Sequence, residues 1–286
     1  VSGFFAPKAV NYLGLKRSLI LGAITYLLFV VSVVINVTSI FILASVLIGI
    51  GASFLWVSSG KIITDISIKT SGKNLGIQLS SVLVGSLIGI TAGGLFLKSV
   101  SINNLYIFFS LAVFVGVMFL FFIKVREGQI KNSAFKFSFI FKKKIILTFP
   151  VIFASYFLSA QTLSSMSEMI LSKFGISSVG IFSAMLFASI VIGALTIGRL
   201  SDIYSKKVVL YGLMILGVIG SLIFISSSLF LLVILGSILL GIYLSGTYPV
   251  ILSLLKNKLN ETEYIYGIGA FYIYSNTGTV TALLSA

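Results

Sequence analysis

Long apolar runs, almost free of charge, recur along the chain and set its architecture. They fall at about Ser18–Asn36, Ser39–Gly60, Leu75–Leu97, Leu105–Ile123, Ile145–Thr162, Ser178–Ile197, Val208–Ile225, Leu229–Leu255 and Tyr264–Ala286. Phe4 to Pro7 reads as the tail of one more. A bilayer core of about 30 Å takes about 20 apolar residues in a helix. Lipid offers peptide groups no hydrogen-bond partner, so spanning segments are helices or strands of a closed barrel. Barrel strands are about ten residues long and alternate in polarity, whereas these runs are longer and uniformly apolar. The pattern predicts an all-α integral membrane protein of nine helices and a stub.

Composition agrees with that reading and narrows it. Apolar residues make up 58% of the 286 positions and charged residues 9%, against about 25% charged in soluble domains. Alternating the connections between two sides puts 18 of the 20 Lys and Arg on one side, with only Lys98 and Lys173 on the other. The positive-inside rule makes the basic side cytoplasmic in a multi-pass protein of the cell membrane. The same distribution accounts for the net charge of +14 without nucleic acid, because the bases sit in separate short loops rather than on one face.

The chain has no Cys and no His, which removes disulfides, thiolate nucleophiles and most metal sites; no cofactor and no metal are expected. With no nucleophile–base cluster and no phosphate-binding loop, an enzyme is not expected either. The six acids, Asp65, Glu127, Glu168, Asp202, Glu261 and Glu263, lie near helix ends or in loops. Intramembrane acids mark ion pathways, and Glu168 is the single candidate for a proton-linked carboxylate.

The longest connection, 124–144, divides the chain into a first bundle at 1–123 and a second at 145–286. It carries Phe135, Phe137, Phe139 and Phe141 ahead of Lys142–Lys144, a composition suited to lying against anionic lipid. The two parts repeat. At an offset of 191, Asn11 meets Asp202, Gly14 meets Ser205, Lys16 meets Lys207, and Gly76-Ile77 meets Gly267-Ile268. Such repeats are a mark of transporters, with the substrate site between the halves. A cavity there calls for polar residues inside apolar helices, and Trp56, Ser59, Gln78, Gln161, Tyr243, Tyr248 and Asn276 are the candidates. The small residues Gly85, Gly89, Gly93 and Gly94 have the spacing of a close helix–helix contact.

The stretch Gly198-x-x-x-Asp202-x-x-x-Lys206-Lys207 resembles the cytoplasmic loop motif of the major facilitator superfamily, which recurs in that family between helices two and three and between eight and nine. The resemblance makes the segments helices three to eleven of two pseudo-repeated halves, truncated at both ends: the end of helix two to helix six in 1–123, and helices seven to eleven in 145–286. It implies a conformational-lock role for Asp202 with Gly198, Arg199, Lys206 and Lys207, and for Asn11, Gly14, Lys16 and Arg17 in the first copy, where Asn11 brings no charge. The glycines at 85–94 resemble the antiporter motif, with Ile90 where that motif has proline. Because the family's helices four, seven and ten line its cavity, Trp56, Gln161, Tyr243 and Tyr248 stand out among the cavity candidates. The first half, through Leu13-Gly14-Leu15-Lys16-Arg17-Ser18 and the run from Gly51 to Lys61, is similar to the Unc-ninety-three-like branch.

The expectation is therefore a secondary active transporter moving a small solute, with or without a coupling ion, by rocking the two halves. The alternative is a non-transporting membrane regulator of the Unc-ninety-three-like type. The expected partners are a small-molecule substrate and the bilayer, and the expected state is a monomer.

Overall fold

The computed structural model describes residues 2–96, 101–125 and 141–285, and among these it contains helices and short connections but no strand. The helices are α1 (Ser2–Leu13), α2 (Leu15–Ile35), α3 (Thr38–Ile66), α4 (Ser71–Phe96), α5 (Ile102–Phe122), α6 (Lys143–Ile146), α7 (Phe149–Phe174), α8 (Ile176–Ile203), α9 (Lys206–Ser226), α10 (Phe230–Lys258) and α11 (Glu261–Ser285). Each apolar run expected from the sequence falls largely in helix, with Ile145–Thr162 divided between two. Among the described residues, seven helical stretches, in α2, α3, α5, α6–α7, α8, α9 and α10, are long and apolar enough to cross a membrane. Of the other two long helices, α4 begins Ser-Gly-Lys-Asn, and α11 begins Glu-Thr-Glu and carries Asn276.

Three boundaries differ from the pattern. The loop expected around Pro7–Arg17 shrinks to Gly14, which separates α1 from α2 at φ 87°. That conformation is open to glycine at little steric cost, and it lets the chain turn without a longer connection. Gly175, at φ 81°, does the same between α7 and α8. The fifth run, expected to start at Ile145, is instead split, with α6 ending at Ile146 and α7 starting at Phe149 beside Pro150. A proline fits the first turn of a helix, where its missing N–H has no intrahelical partner. Lastly, α3 and α10 run past their apolar stretches to take in Asp65 and Lys256.

Contacts group the chain into two compact units. The first comprises Val1–Ile62, Ile88–Ile140 and Glu261–Tyr272. In it α2 packs on α1 and α5. It also meets α3 closely: a Cβ added at Gly22 would lie 2.6 Å from the Gly51 carbonyl oxygen, the kind of approach that small residues permit. The second unit comprises Ile63–Leu87, Phe141–Asn260 and Ile273–Ala286, and α10 packs in it against α7, α8 and α9. Its core gathers Ile170, Phe182, Leu186, Ile190, Phe224, Val233 and Leu240. Glycines bring α10 close to its neighbours. Gly241 faces Ser189 of α8, Gly236 and Gly220 meet across α9 and α10, and Gly217 leaves room for the Tyr243 ring.

The opposite face of α9 exposes Val208, Tyr211, Ile215, Val218, Leu222 and Ile225. Their spacing of three and four residues makes one apolar stripe. In a helix that buries Leu213, Gly217, Gly220 and Phe224 on its other side, that stripe is a surface for lipid.

Candidate functional site

In the second unit, Asp202 sits on the last turn of α8, and its carboxylate reaches the start of α4. Oδ1 accepts from the Gly72 N–H at 3.0 Å, and Oδ2 accepts from the Lys73 N–H at 2.7 Å. The first amides of a helix have no intrahelical acceptor, and they carry the positive end of its dipole. Thr70 takes the next one, through Asn74 N–H to the Thr70 carbonyl at 3.0 Å. Asp202 thus caps α4 from another helix, through charge-assisted bonds stronger than a neutral cap would make. The ammonium of Lys206 lies 3.8 Å from Oδ1 and donates to the Ser201 carbonyl at 3.2 Å.

Such a reach needs backbones that nearly touch. A Cβ at Gly76 would stand 2.2 Å from the Ala194 carbonyl oxygen, and one at Gly198 would stand 2.5 Å from the Gly72 carbonyl oxygen. One more bond runs from Ser80 Oγ to the Val191 carbonyl at 3.0 Å. Close approach on α4 therefore occurs at Gly72 and Gly76. At Gly85 and Gly89, nothing among the described residues lies within 4 Å of an added Cβ. The surroundings of Gly93 and Gly94 fall outside the described residues.

A second ionic contact joins the ends of α3 and α10. Lys256 Nζ donates to Asp65 Oδ1 at 2.5 Å, with the lysine side chain 4% and the aspartate side chain 34% exposed. An acid at a helix C-terminus opposes the dipole, and a base there favours it. Asp65 is acceptable at the end of α3 because Lys256 meets it.

In the first unit, Asn11 of α1 donates from Nδ2 to the Tyr266 hydroxyl at 3.1 Å, and its amide oxygen is buried without a hydrogen-bond partner. It does not cap α11, whose first turn carries its own acids, Glu261 and Glu263. The approach of α1 to α11 is nonetheless close, since a Cβ at Gly269 would stand 2.4 Å from Pro7 Cγ. Lys16 Nζ donates to the Phe121 carbonyl at 2.8 Å, Gly14 is the turn described above, and Arg17 is exposed.

A cavity of about 210 Å³ opens among α4, α7, α8 and α10 in the second unit. Leu79, Leu83, Leu163, Phe187, Ile190 and Leu244 form its apolar wall, and Ser155, Tyr156, Ser159, Ser245 and Tyr248 bring hydroxyls. Among the described residues no charged side chain lines it. The Tyr248 hydroxyl donates to Gln78 Oε1 at 3.3 Å, and Ser155 shares a 2.8 Å bond with the Tyr243 hydroxyl. Pro249 lies one residue beyond Tyr248 inside α10, and with no N–H it cannot satisfy the carbonyl of Ser245, four residues back.

The structure therefore gathers Gln78, Tyr243 and Tyr248 at or beside one cavity and draws in Ser155, Ser159 and Ser245. Gln161 lies elsewhere on α7, with its amide donating to the Ala282 carbonyl at 3.0 Å and the Ser285 hydroxyl at 2.8 Å. Trp56 and Ser59 belong to the first unit, where the indole lies 6.2 Å from the Tyr272 ring and Ser59 Oγ donates to the Trp56 carbonyl. Asn276 is exposed on α11, and Glu168 is exposed on α7. Arg199 and Lys207 are exposed beside the Asp202 cap. Residues 126–140 of the central connection, with Phe135, Phe137 and Phe139, lie outside the described residues. Among the described residues no group of His, Cys, Asp or Glu could hold a metal ion.

Sequence reasoning did not single out Asp65, Lys256 or Gly72. The signal for the first two was at hand: the offset of 191 that sets Asn11 against Asp202 also sets Asp65 against Lys256.

Comparison with protein families matches residues 1–283 to the family model described as Major Facilitator Superfamily. Comparison with curated proteins returns no match. Among solved structures, the E. coli fucose:proton symporter FucP is similar with a TM-score of 0.82 at 15% identity, covering 100% of this chain and 79% of that one. A structure of FucP in the outward conformation is similar with a TM-score of 0.80, also at 15% identity, covering 99% and 78%. At that identity the likeness carries the fold.

Proposed function

The chain belongs to the Major Facilitator Superfamily, and we propose that it is a secondary active transporter of a small uncharged solute, working by alternating access. The halves that rock are 1–123 and 145–286, joined by a cytoplasmic connection at 124–144. The observation that carries this reading is the cavity among α4, α7, α8 and α10, whose walls, among the described residues, hold hydroxyls and apolar side chains but no charge. An ion entering it would lose water and meet no counter-charge, at a cost of several kcal/mol or more. A neutral solute with hydrogen-bonding groups meets donors and acceptors. At about 30 Å³ per water in the liquid, the cavity corresponds to roughly seven waters, which favours a small solute.

Asp202 supplies a means of alternation. It joins α8, in the second half of the sequence, to the first amides of α4, in the first half. These bonds hold one arrangement of the two helices and break in another, with the basic end closed while the cap is made. The Lys256–Asp65 pair ties α10 to α3 and acts in the same sense.

The direct test is uptake of labelled solutes into proteoliposomes by the full-length chain. Small uncharged hydroxylated solutes are taken up, their charged analogues are not, and Ser159→Phe, which fills the cavity, abolishes uptake while the protein stays folded. The uncapped first copy, with Asn11 bonded to Tyr266, favours one second reading, a non-transporting regulator. No flux across a broad panel, together with a stable partner recovered in mild detergent, would establish that reading instead.

A further inference from the structure

Beyond the Asp202 cap, the connection from α8 to α9 borders a second cavity, of about 440 Å³ and open to the surface. Its polar walls are Tyr204 and Ser205 from the connection, Lys206 and Lys207 from α9, and Asn257 and Lys258 from the end of α10. Three lysines thus line one space with two hydroxyl side chains and an amide, and among the described residues no acidic side chain lines it. Lys207 and Lys258 are exposed into it, whereas Lys206 is shared with Asp202 at 3.8 Å. A fourth ammonium stands at the rim, since Lys144 Nζ donates to the Lys258 carbonyl at 3.5 Å.

Like charges gathered in one pocket repel, and the repulsion is relieved by a compact anion with several acceptor oxygens. A phosphate group has that chemistry: it accepts charge-assisted hydrogen bonds from several ammonium donors at once, and hydroxyl and amide donors complete its shell. The position fits as well, because the pocket lies at the ends of helices long and apolar enough to cross a membrane, and basic pockets between such helices take up anionic headgroups.

We propose that this pocket binds a phosphate group, carried by an anionic phospholipid headgroup or free in solution. Because Lys206 belongs to both sites, a bound phosphate competes with Asp202 for its ammonium and so bears on the cap of α4. The assignment concerns binding and does not depend on transport.

The experiment uses the full chain in phosphatidylcholine nanodiscs and follows its unfolding temperature. One arm adds phosphatidylglycerol, and the other adds inorganic phosphate against chloride at equal ionic strength. A ligand that binds only the folded chain raises that temperature by mass action. A rise of a few degrees with the lipid alone identifies a headgroup site, and a rise with inorganic phosphate identifies a site for the free ion; both support the proposal. The double substitution Lys207→Gln with Lys258→Gln removes the rise, while the charge-matched control Lys8→Gln with Lys69→Gln, outside the pocket, keeps it. In Asp202→Asn, which frees Lys206, the rise is at least as large as in the unaltered chain. No rise in either arm, an equal loss in the control, or a loss in Asp202→Asn would overturn the assignment.

Discussion

Lys256 and Asp65 form an ion pair at 2.5 Å between positions 191 residues apart, the interval that sets Asn11 against Asp202. Each is the other's equivalent in the proposed repeat, so the contact joins one position to its own counterpart. Here the two copies carry opposite charges, so the meeting is attractive.

The two partners of that pair differ in burial, and this sets an order of effects. Asp65→Asn leaves the buried ammonium of Lys256 without its carboxylate, and the loss is about 3 kcal/mol. Lys256→Met leaves a carboxylate that is 34% exposed and still reached by water, and it costs about 1 kcal/mol. Thermal unfolding of the two variants in one detergent checks the order; equal effects would mean that the pair is already hydrated.

Removing the charge of Asp202 weakens the cap without emptying it. Asp202→Asn keeps one acceptor for the amides of α4 and costs about 1 kcal/mol, whereas Asp202→Ala leaves both the Gly72 and Lys73 amides without their acceptor and costs about 2 kcal/mol. Amide exchange at Gly72 and Lys73 rises in the same order. Unchanged exchange in the alanine variant would show that water or another group takes over the cap.

Gly76→Ala tests whether close approach makes the cap possible. The new Cβ would stand 2.2 Å from the Ala194 backbone oxygen, so α4 must move off α8, at about 1–3 kcal/mol. Gly85→Ala on the same helix meets open space and changes stability by less than about 0.5 kcal/mol. Unfolding measurements on both variants separate packing on one stretch of α4 from a general intolerance of the helix.

Much of the fold was legible in the sequence because lipid imposes one rule on every spanning segment. Nine apolar runs fall largely in helices, and Asp202 meets the first amides of α4. What the pattern did not carry was geometry decided by single backbone atoms. The turn at Gly14 compresses an expected loop into one residue of positive φ, and the break ahead of Pro150 falls inside a stretch whose polarity reads continuously. Polar side chains in apolar helices are ambiguous for a different reason: the same amide serves a cavity or a neighbouring helix. Gln78 meets Tyr248 beside the cavity and Gln161 meets Ala282, yet nothing in either local sequence distinguishes them. Lys256 was hidden among the bases that set topology, and only its long-range equivalence to Asp65 marked it.

The most direct test of alternating access is the accessibility of one cysteine at Ser159, in a chain that otherwise has none. With Asp202 intact, a membrane-impermeant thiol reagent reaches that site from the side opposite the basic loops, and Asp202→Asn shifts labelling toward the basic side. A cysteine that stays unlabelled from both sides in both backgrounds would mean that the cavity is sealed and the account of transport is wrong.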